Sequence, residues 1–274
     1  MIEVKNITKI YGKKKTEFIA LKDINFKIPN GASVAIIGKS GSGKSTLMHA
    51  MSGLDKPQSG QILVDGINIL KLKQKQIDAF RSKKIGFIFQ SFFIQANESC
   101  FDNVSLPLEI SGVPRSKRKT MVESALTEVE LLEKKKNRAR DLSGGQKQRL
   151  AVARAIVSEP EILFADEPTG NLDSVTGGKI EDLLFGYNKK RGVTLIIVTH
   201  DTELATRCDI KIFVKDGVIE RIEGDDLKQD STSVTQPEVQ KTDSGKSVHS
   251  EALTPIEDWV KTGNVTSIEI KEQK

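Results

Sequence analysis

Long hydrophobic runs are missing from this chain of 274 residues. No apolar stretch approaches the roughly 20 residues that a transmembrane helix needs, so we expect no membrane-spanning segment. The first residues, MIEVKN, lack the basic and apolar regions of a secretory signal peptide. Cysteine is scarce as well: Cys100 and Cys208 are far apart in sequence and have no metal-ligand spacing. These absences exclude a disulfide-stabilised secreted domain and predict free thiols in a reducing cytosol.

Aromatic residues make up only 5% of the chain, and the lysine runs contain none that would stack on bases. The net charge is +5, but residues 225–274 hold ten acidic and six basic residues, a balance of −4 that leaves +9 on residues 1–224. A basic body is compatible with nucleic acid or an anionic membrane surface, and equally with a solvated lysine-rich surface. The solvated surface is the simpler interpretation, and we expect no nucleic-acid partner.

What the chain does contain is a glycine-rich segment between an apolar run, residues 34–37, and a helix-like segment, residues 47–51. Strand, glycine-rich loop and helix in this order are typical of a phosphate-binding loop, whose backbone N–H groups and helix N-terminus face one anion. In this interpretation Lys44 reaches the β- and γ-phosphates of ATP, and the Ser45 hydroxyl binds Mg²⁺. The predicted loop consists of Gly38, Lys39, Ser40, Gly41, Ser42, Gly43, Lys44, Ser45 and Thr46.

Extended and helical patterns alternate along most of the chain, which favours a sheet covered by helices on both faces. We expect an α/β fold of the P-loop NTPase (RecA-like) class. It comprises a mainly parallel sheet core, an N-terminal antiparallel β subdomain and an inserted α-helical subdomain. The predicted strands cover residues 2–8, 18–28, 34–37, 61–64, 85–89, 161–167, 194–198, 210–214 and 218–222.

We predict one nucleotide-binding domain over residues 1–224, with its helical subdomain at about residues 91–157. Five residues of that subdomain have the spacing of one buried helix face: Glu123, Leu126, Val129, Leu131 and Leu132. Residues 225–274 are rich in Ser, Thr and charged residues and poor in large apolar ones. This composition predicts an acidic, disordered C-terminal tail.

Polar side chains end several of the predicted strands, where parallel sheets bind ligands. Asp166 is placed to hold Mg²⁺, and Glu167 to orient and polarise the attacking water. Because Pro168 follows, a helix N-cap is an alternative role for these acids, but the upstream phosphate-binding loop favours catalysis. Gln90 ends another strand with an amide that can reach Mg²⁺ or the water, and His200 ends a third as a donor to the γ-phosphate.

A second anion-binding element precedes a helical run and consists of Ser143, Gly144, Gly145 and Gln146. It offers a hydroxyl, exposed N–H groups and a helix dipole. Two phosphate-binding elements in different parts of one fold can serve the same nucleotide if they come from two subunits. We therefore predict a head-to-tail, two-fold homodimer with ATP at its interface, which closes on ATP binding and opens after hydrolysis.

Together, these motifs resemble the nucleotide-binding subunits of ABC transporters over residues 1–224. The resemblance implies that residues 38–46 are the Walker A loop, residues 142–146 the signature motif and residues 171–173 the D-loop. It also implies single-residue roles: Tyr11 stacks on the adenine, Gln90 is the Q-loop glutamine, Asp166 the Walker B aspartate, Glu167 the catalytic glutamate and His200 the switch histidine. From the residues alone, Tyr11 is more simply a turn residue.

Within that family, GFIFQ at residues 86–90 and EPTGNLD at residues 167–173 resemble the lipoprotein-release and macrolide-export group. Antimicrobial-peptide export systems are similar in the same motifs. The resemblance implies an ATPase at the cytoplasmic face of the cell membrane that powers export or mechanotransmission by a separately encoded integral membrane permease. A soluble or cell-division-type ABC ATPase with a regulatory role is the alternative. Residues 91–100 depart from the group's usual Leu-Leu-Pro-like run in the segment expected to face the permease.

Overall fold

The computed structural model describes residues 1–13 and 16–224 of the chain. The tail predicted for residues 225–274 lies outside the described residues. Among the helices in the described part of the chain, none combines the length and the hydropathy that a membrane span requires.

The N-terminal part forms a four-stranded antiparallel sheet in the order β2-β1-β4-β5. Its strands are β1 (Ile2–Tyr11), β2 (Phe18–Ile28), β4 (Ser59–Val64) and β5 (Ile67–Asn68). Ile2 and Val4 of β1 are buried on one face, as the period of two in a strand predicts. The predicted antiparallel β subdomain is therefore present.

The core is a six-stranded sheet in the order β10-β9-β3-β8-β7-β6. Its first five strands in sequence run parallel: β3 (Ser33–Ile37), β6 (Ile85–Ile88), β7 (Ile162–Asp166), β8 (Thr194–Thr199) and β9 (Ile210–Lys215). The edge strand β10 (Val218–Gly224) forms an antiparallel hairpin with β9. β3 and β8 are buried along their whole length, which explains why their sequences are apolar runs and do not alternate.

Helices connect the parallel strands, and three of them form an insertion between β6 and β7. The connecting helices are α1 (Lys44–Met51), α2 (Gln74–Lys84), α6 (Ser174–Arg191) and α7 (Thr202–Thr206). The insertion contains α3 (Cys100–Ile110), α4 (Arg115–Glu128) and α5 (Gly144–Ile156). Short 3-10 turns lie at Ile69–Lys71, Leu132–Lys134 and Ala139–Asp141.

The helix face predicted within this insertion is wrong in part. Glu123 is only partly buried and accepts a hydrogen bond from Lys135 Nζ at 2.8 Å. The buried face of α4 begins instead at Val122 and continues through Ala125 and Leu126. The prediction followed a spacing of three residues, whereas the apolar stripe of a 3.6-residue helix also includes the neighbouring position.

Candidate functional site

The predicted site lies at the carboxyl ends of three neighbouring parallel strands. β3 ends at Ile37 and β8 at Thr199, and these two residues are paired in register. β7 ends at Asp166, which pairs with Val198 of β8. This edge of the sheet therefore carries the glycine-rich loop, both acids and the histidine predicted from the sequence, where parallel sheets bind ligands.

The phosphate loop, residues 38–46, takes its shape from glycine. Gly43 caps α1 in a left-handed conformation with φ 104°, and a Cβ there would lie 2.7 Å from the Ala20 carbonyl oxygen. Glycine alone fits this approach without strain. Lys44 Nζ donates to the carbonyl oxygens of Gly38 at 2.8 Å and Lys39 at 2.9 Å. An ammonium inside a loop at a helix N-terminus is suited to receive a phosphate group.

Ser42 contributes a hydroxyl that is not used within the loop. The residue is 5% exposed, and its Oγ has no hydrogen-bond partner among the described residues. Its backbone is fixed, since its N–H donates to the Lys39 carbonyl at 3.1 Å and its own carbonyl accepts from Gly217 at 3.0 Å. A buried hydroxyl without a partner costs free energy, and a phosphate oxygen in the loop would satisfy it.

Ser45 and Asp166 form the centre of the predicted metal site. The Ser45 hydroxyl donates to Asp166 Oδ1 at 3.5 Å, a long contact. Burial raises the pKa of Asp166, although the Ser45 hydrogen bond and the His49 imidazole act against this rise. A divalent cation beside the carboxylate would hold it ionised, and hydroxyl and carboxylate oxygens are the hard donors that Mg²⁺ prefers.

Glu167 is held through both of its carboxylate oxygens. His200 Nδ1 lies 2.8 Å from Oε1, and the Thr199 hydroxyl donates to Oε2 at 3.3 Å. The backbone φ of Glu167 is 46°, in the left-handed region that residues other than glycine rarely adopt. A strained backbone of this kind persists only where surrounding contacts hold it in place, and such residues are concentrated at functional sites.

Gln90 lies just past β6, the neighbour of β7 in the sheet. Its backbone carbonyl accepts a hydrogen bond from Asn171 Nδ2 at 2.8 Å. Its side-chain Nε2 lies 3.5 Å from the position that a Cβ on Gly170 would take. The structure thus brings Gln90 against the turn that directly follows Glu167.

The second anion-binding element lies at the start of α5. Ser143 is the N-cap: its Oγ accepts from the Gln146 N–H at 3.4 Å, and Gln146 Oε1 accepts from the Ser143 N–H at 3.1 Å. A Cβ on Gly145 would lie 2.4 Å from Thr176 Cγ2 in the first turn of α6. The element therefore packs on α6, whereas the phosphate loop contacts β2 and the β9–β10 hairpin through Ala20 and Gly217.

Tyr11, at the end of β1, is anchored to the loop that follows α1. Its hydroxyl donates to Asp55 Oδ2 at 2.6 Å, and Lys9 Nζ lies 4.8 Å from the ring centroid. Burial raises the pKa of Tyr11, and the bond to Asp55 adds to the rise. A further side-chain interaction with Thr46 links Tyr11 to the end of the phosphate loop. Tyr11 as a whole remains 40% exposed, so part of its side chain is accessible beside this loop.

Sequence reasoning missed several residues that shape the site. Gln148 and Arg154 of α5 reach Pro168 and residues 92–93 respectively, and Asp55 anchors Tyr11. Gln148 is a fully buried amide among apolar neighbours of α5. A polar residue on the apolar face of a helix was the available signal, because buried polar groups are normally hydrogen-bonded.

A cavity of about 360 Å³ lies away from this site, among residues that precede β7 and β8. Its walls include Asp65, Glu159 and Arg191 and none of the residues predicted to bind ATP.

Comparison with known proteins gives consistent matches. A family model described as "ABC transporter" matches residues 21–170. The chain is 43% identical over 219 residues to the lipoprotein-releasing system ATP-binding protein LolD of Syntrophus aciditrophicus. The aligned region covers 80% of this chain and 98% of LolD. It is 39% identical over 231 residues to the bacitracin export ATP-binding protein BceA of Halalkalibacterium halodurans. This aligned region covers 84% of this chain and 91% of BceA.

Solved structures agree with these sequence matches. The chain is similar to the dimeric structure of MJ0796, described as a bacterial ABC transporter cassette, with a TM-score of 0.75 and 39% identity over 82% of this chain and 98% of that one. A post-hydrolysis dimer of MJ0796 bound to ADP and Pi has the same TM-score and coverage at 38% identity. The predicted fold class is confirmed by these matches.

Proposed function

Because this chain belongs to the ABC transporter family of ATP-binding subunits, we propose that it binds and hydrolyses ATP to power a membrane transport system. The observation that carries the proposal is the convergence of the phosphate loop, Asp166 and the Glu167–His200 pair at one edge of three parallel strands. Hydrolysis of ATP depends mainly on positioning and charge stabilisation, and this edge supplies groups for both.

Each side chain has a role that follows from its place. Lys44 neutralises the β- and γ-phosphates, and the N–H groups at the start of α1 add the helix dipole. Glu167 accepts a proton from the attacking water, and His200, 2.8 Å from its carboxylate, holds that carboxylate in place. Tyr11 offers its exposed ring to the adenine.

Mg²⁺ fits the donor set at the centre of the site. Ser45 and Asp166 are already within 3.5 Å of each other, and Gln90 supplies an amide oxygen from the adjacent strand end. When bound, the ion neutralises charge that develops on the phosphate oxygens. Ser45, Gln90 and Asp166 are therefore the residues that we propose to hold it.

The nucleotide site is completed by a second copy of the chain. Residues 143–146 pack on α6, whereas the phosphate loop of the same subunit contacts β2 and the β9–β10 hairpin. A head-to-tail homodimer brings this element of one copy to the nucleotide held by the other. The similarity to the dimeric structure of the MJ0796 cassette supports this arrangement.

The transport partner is a separately encoded membrane permease, which places the action of this chain at the cytoplasmic face of the membrane. Support comes from the similarity to LolD and BceA, whose names describe lipoprotein release and bacitracin export. The segment after Gln90 offers an apolar contact, since Phe93 is 66% exposed. The work done is export or the mechanical transmission of movement across the membrane.

The substitution Glu167→Gln tests the proposed head-to-tail dimer with ATP at its interface. It removes the proton acceptor but keeps the size of the side chain, so ATP should bind without being hydrolysed. We expect the variant to elute as a dimer with saturating ATP and Mg²⁺ and as a monomer without nucleotide. The exposed Glu133 provides a matched control, and Glu133→Gln should behave as the wild type. A Glu167→Gln variant that stays monomeric in saturating ATP would contradict the proposal.

A further inference from the structure

Gln148 is a buried amide that connects α5 to the catalytic edge of the sheet. The residue is 1% exposed, and its Nε2 donates to the Pro168 carbonyl oxygen at 2.6 Å. Its Oε1 has no hydrogen-bond partner within the described part of the chain. An apolar residue of the same size would avoid the unpaired Oε1, but it would leave the Pro168 carbonyl oxygen without this donor. Packing alone therefore does not account for this amide.

The carbonyl that Gln148 holds belongs to the turn of residues 167–170. The Gly170 N–H donates to the Glu167 carbonyl at 3.2 Å, which makes Pro168 and Thr169 the two central residues. Type I and type II turns differ by a flip of the peptide between these central residues, and Pro at the second position is compatible with both. Thr169 keeps a negative φ, as a type I turn requires. The hydrogen bond from Gln148 fixes the carbonyl of that same peptide.

This turn joins two parts of the ATP site. It begins at Glu167, whose backbone is left-handed and whose carboxylate is held by His200 and Thr199. Directly after it, Asn171 donates to the Gln90 carbonyl at 2.8 Å. A flip of the central peptide would change the path between Glu167 and Asn171, and thus the placement of the carboxylate relative to the attacking water.

We infer that Gln148 is a positioning residue for hydrolysis: by holding the Pro168 carbonyl it fixes the turn that sets the orientation of Glu167. The inference rests on the proposed function and adds a residue to it. It also connects the catalytic glutamate of a subunit to α5, the helix whose N-cap, Ser143, is offered to the partner's nucleotide.

Gln148→Met is the direct test, because methionine is unbranched and of similar length but has no N–H group. Misplacing a catalytic group slows the chemical step far more than it weakens substrate binding, so kcat for ATP should fall by about tenfold to a hundredfold. The KM for ATP should stay within about twofold, because the phosphate loop is untouched.

Asn188 of α6 provides a matched control. It is also a buried amide that donates to backbone carbonyls, those of Gly31 at 2.9 Å and Val193 at 2.6 Å. These partners lie at the opposite end of β3 and β8. Asn188→Leu should therefore lower the melting temperature and leave kcat within about twofold of the wild type, measured where both variants are folded.

Gln148→Asn is the second variant, for use alone if the methionine variant does not fold. Asparagine keeps the amide but is one methylene shorter, so its kcat should fall by a similar factor. Wild-type kcat in a folded Gln148 variant, or an equal kcat loss in Asn188→Leu, would overturn the inference. The proposed function fails separately, if the wild-type chain shows no ATP hydrolysis or if Glu167→Gln does not dimerise with ATP.

Discussion

Asp55 is the anchor of a small charged cluster beside the phosphate loop. Lys9, which is 6% exposed, donates to its carboxylate and to the Lys56 carbonyl at 2.9 Å, and Tyr11 donates to the other carboxylate oxygen. Burial alone would raise the pKa of Asp55, but the hydrogen bonds from Lys9 and Tyr11 outweigh it and lower the pKa. The cluster therefore favours the ionised carboxylate and fixes the ring proposed to stack on adenine.

We expect Asp55→Asn to destabilise the protein by about 1–2 kcal/mol, because a buried ammonium loses its counter-charge while partial exposure of Asp55 limits the loss. The KM for ATP should rise, since the Tyr11 ring is no longer fixed. Urea unfolding and ATPase kinetics measure the two effects. Asp216→Asn, in the exposed β9–β10 turn, is the control.

The pH dependence of this difference has a definite sign. Since the native pKa of Asp55 is lower than its ordinary value, the native state binds fewer protons over the interval between the two. The stability advantage of the wild type over Asp55→Asn should be complete above the ordinary aspartate pKa of about 3.9 and should disappear as the pH falls through the lower native value. A difference that persists unchanged at strongly acidic pH would contradict this explanation.

The two thiols of the chain should be unreactive in the native state. Cys100 and Cys208 are both buried, and burial raises the pKa of Cys208 to about 12. Only the thiolate reacts with disulfide reagents, so at pH 8 almost none of Cys208 is in the reactive form. We expect slow reaction with a thiol-specific disulfide reagent in buffer, and rapid release of two equivalents in denaturant. Fast stoichiometric labelling of the folded protein would show that one of these sites opens.

At the scale of single elements, α5 shows what sequence reasoning can and cannot supply. Its N-terminus was predictable because Ser143 and Gln146 are three residues apart and cap the helix locally. The partners of Gln148 and Arg154 were not, because Pro168 and residues 92–93 are far away in sequence. A helix cap involves residues that are close in sequence, so a short pattern predicts it. The contacts of Gln148 and Arg154 join distant segments and form only after the sheet has formed.

The turn after Gln90 depends on α5 in the same way. Phe92 and Phe93 both have positive φ, at 46° and 47°, and their carbonyl oxygens accept from the Arg154 guanidinium. Phe93 also packs edge-on against Phe89, with ring centroids 5.2 Å apart. Two consecutive left-handed phenylalanines are costly, so external hydrogen bonds are needed to hold them.

We therefore expect Arg154→Met to loosen this turn and to reduce stability by about 1.5–3 kcal/mol, the range for hydrogen bonds to a charged group. Limited digestion with chymotrypsin should cleave faster after Phe92 or Phe93, and mass spectrometry identifies the site. Arg221→Met removes another arginine, one that lies over Phe213, and should leave cleavage at residues 92–93 unchanged. Equal protection of the turn in the two variants would show that Arg154 does not hold it.

At the scale of the whole molecule, the sequence predicted the class of fold and the residues at the sheet edge, because each motif follows a recognisable strand. It did not predict the strand order β10-β9-β3-β8-β7-β6. That order places β3 next to β8, although their sequences are more than 150 residues apart. Strand adjacency depends on which buried faces fit together across the core, and a single sequence does not display this fit.

Deletion of residues 225–274 tests how much of the chain the functional domain requires. Both sheets and all the proposed site residues lie within residues 1–224, where β10 ends at Gly224. We expect a protein that ends at Gly224 to keep its melting temperature within about 2 °C and its kcat for ATP within about twofold. Its net charge should change from +5 to +9, which shifts its elution from a cation exchanger to higher salt.

A chain that ends at Gly217 loses β10 and its pairing with β9, so it should melt at a clearly lower temperature. If the protein ending at Gly224 instead loses its ATPase activity, residues beyond 224 belong to the functional domain.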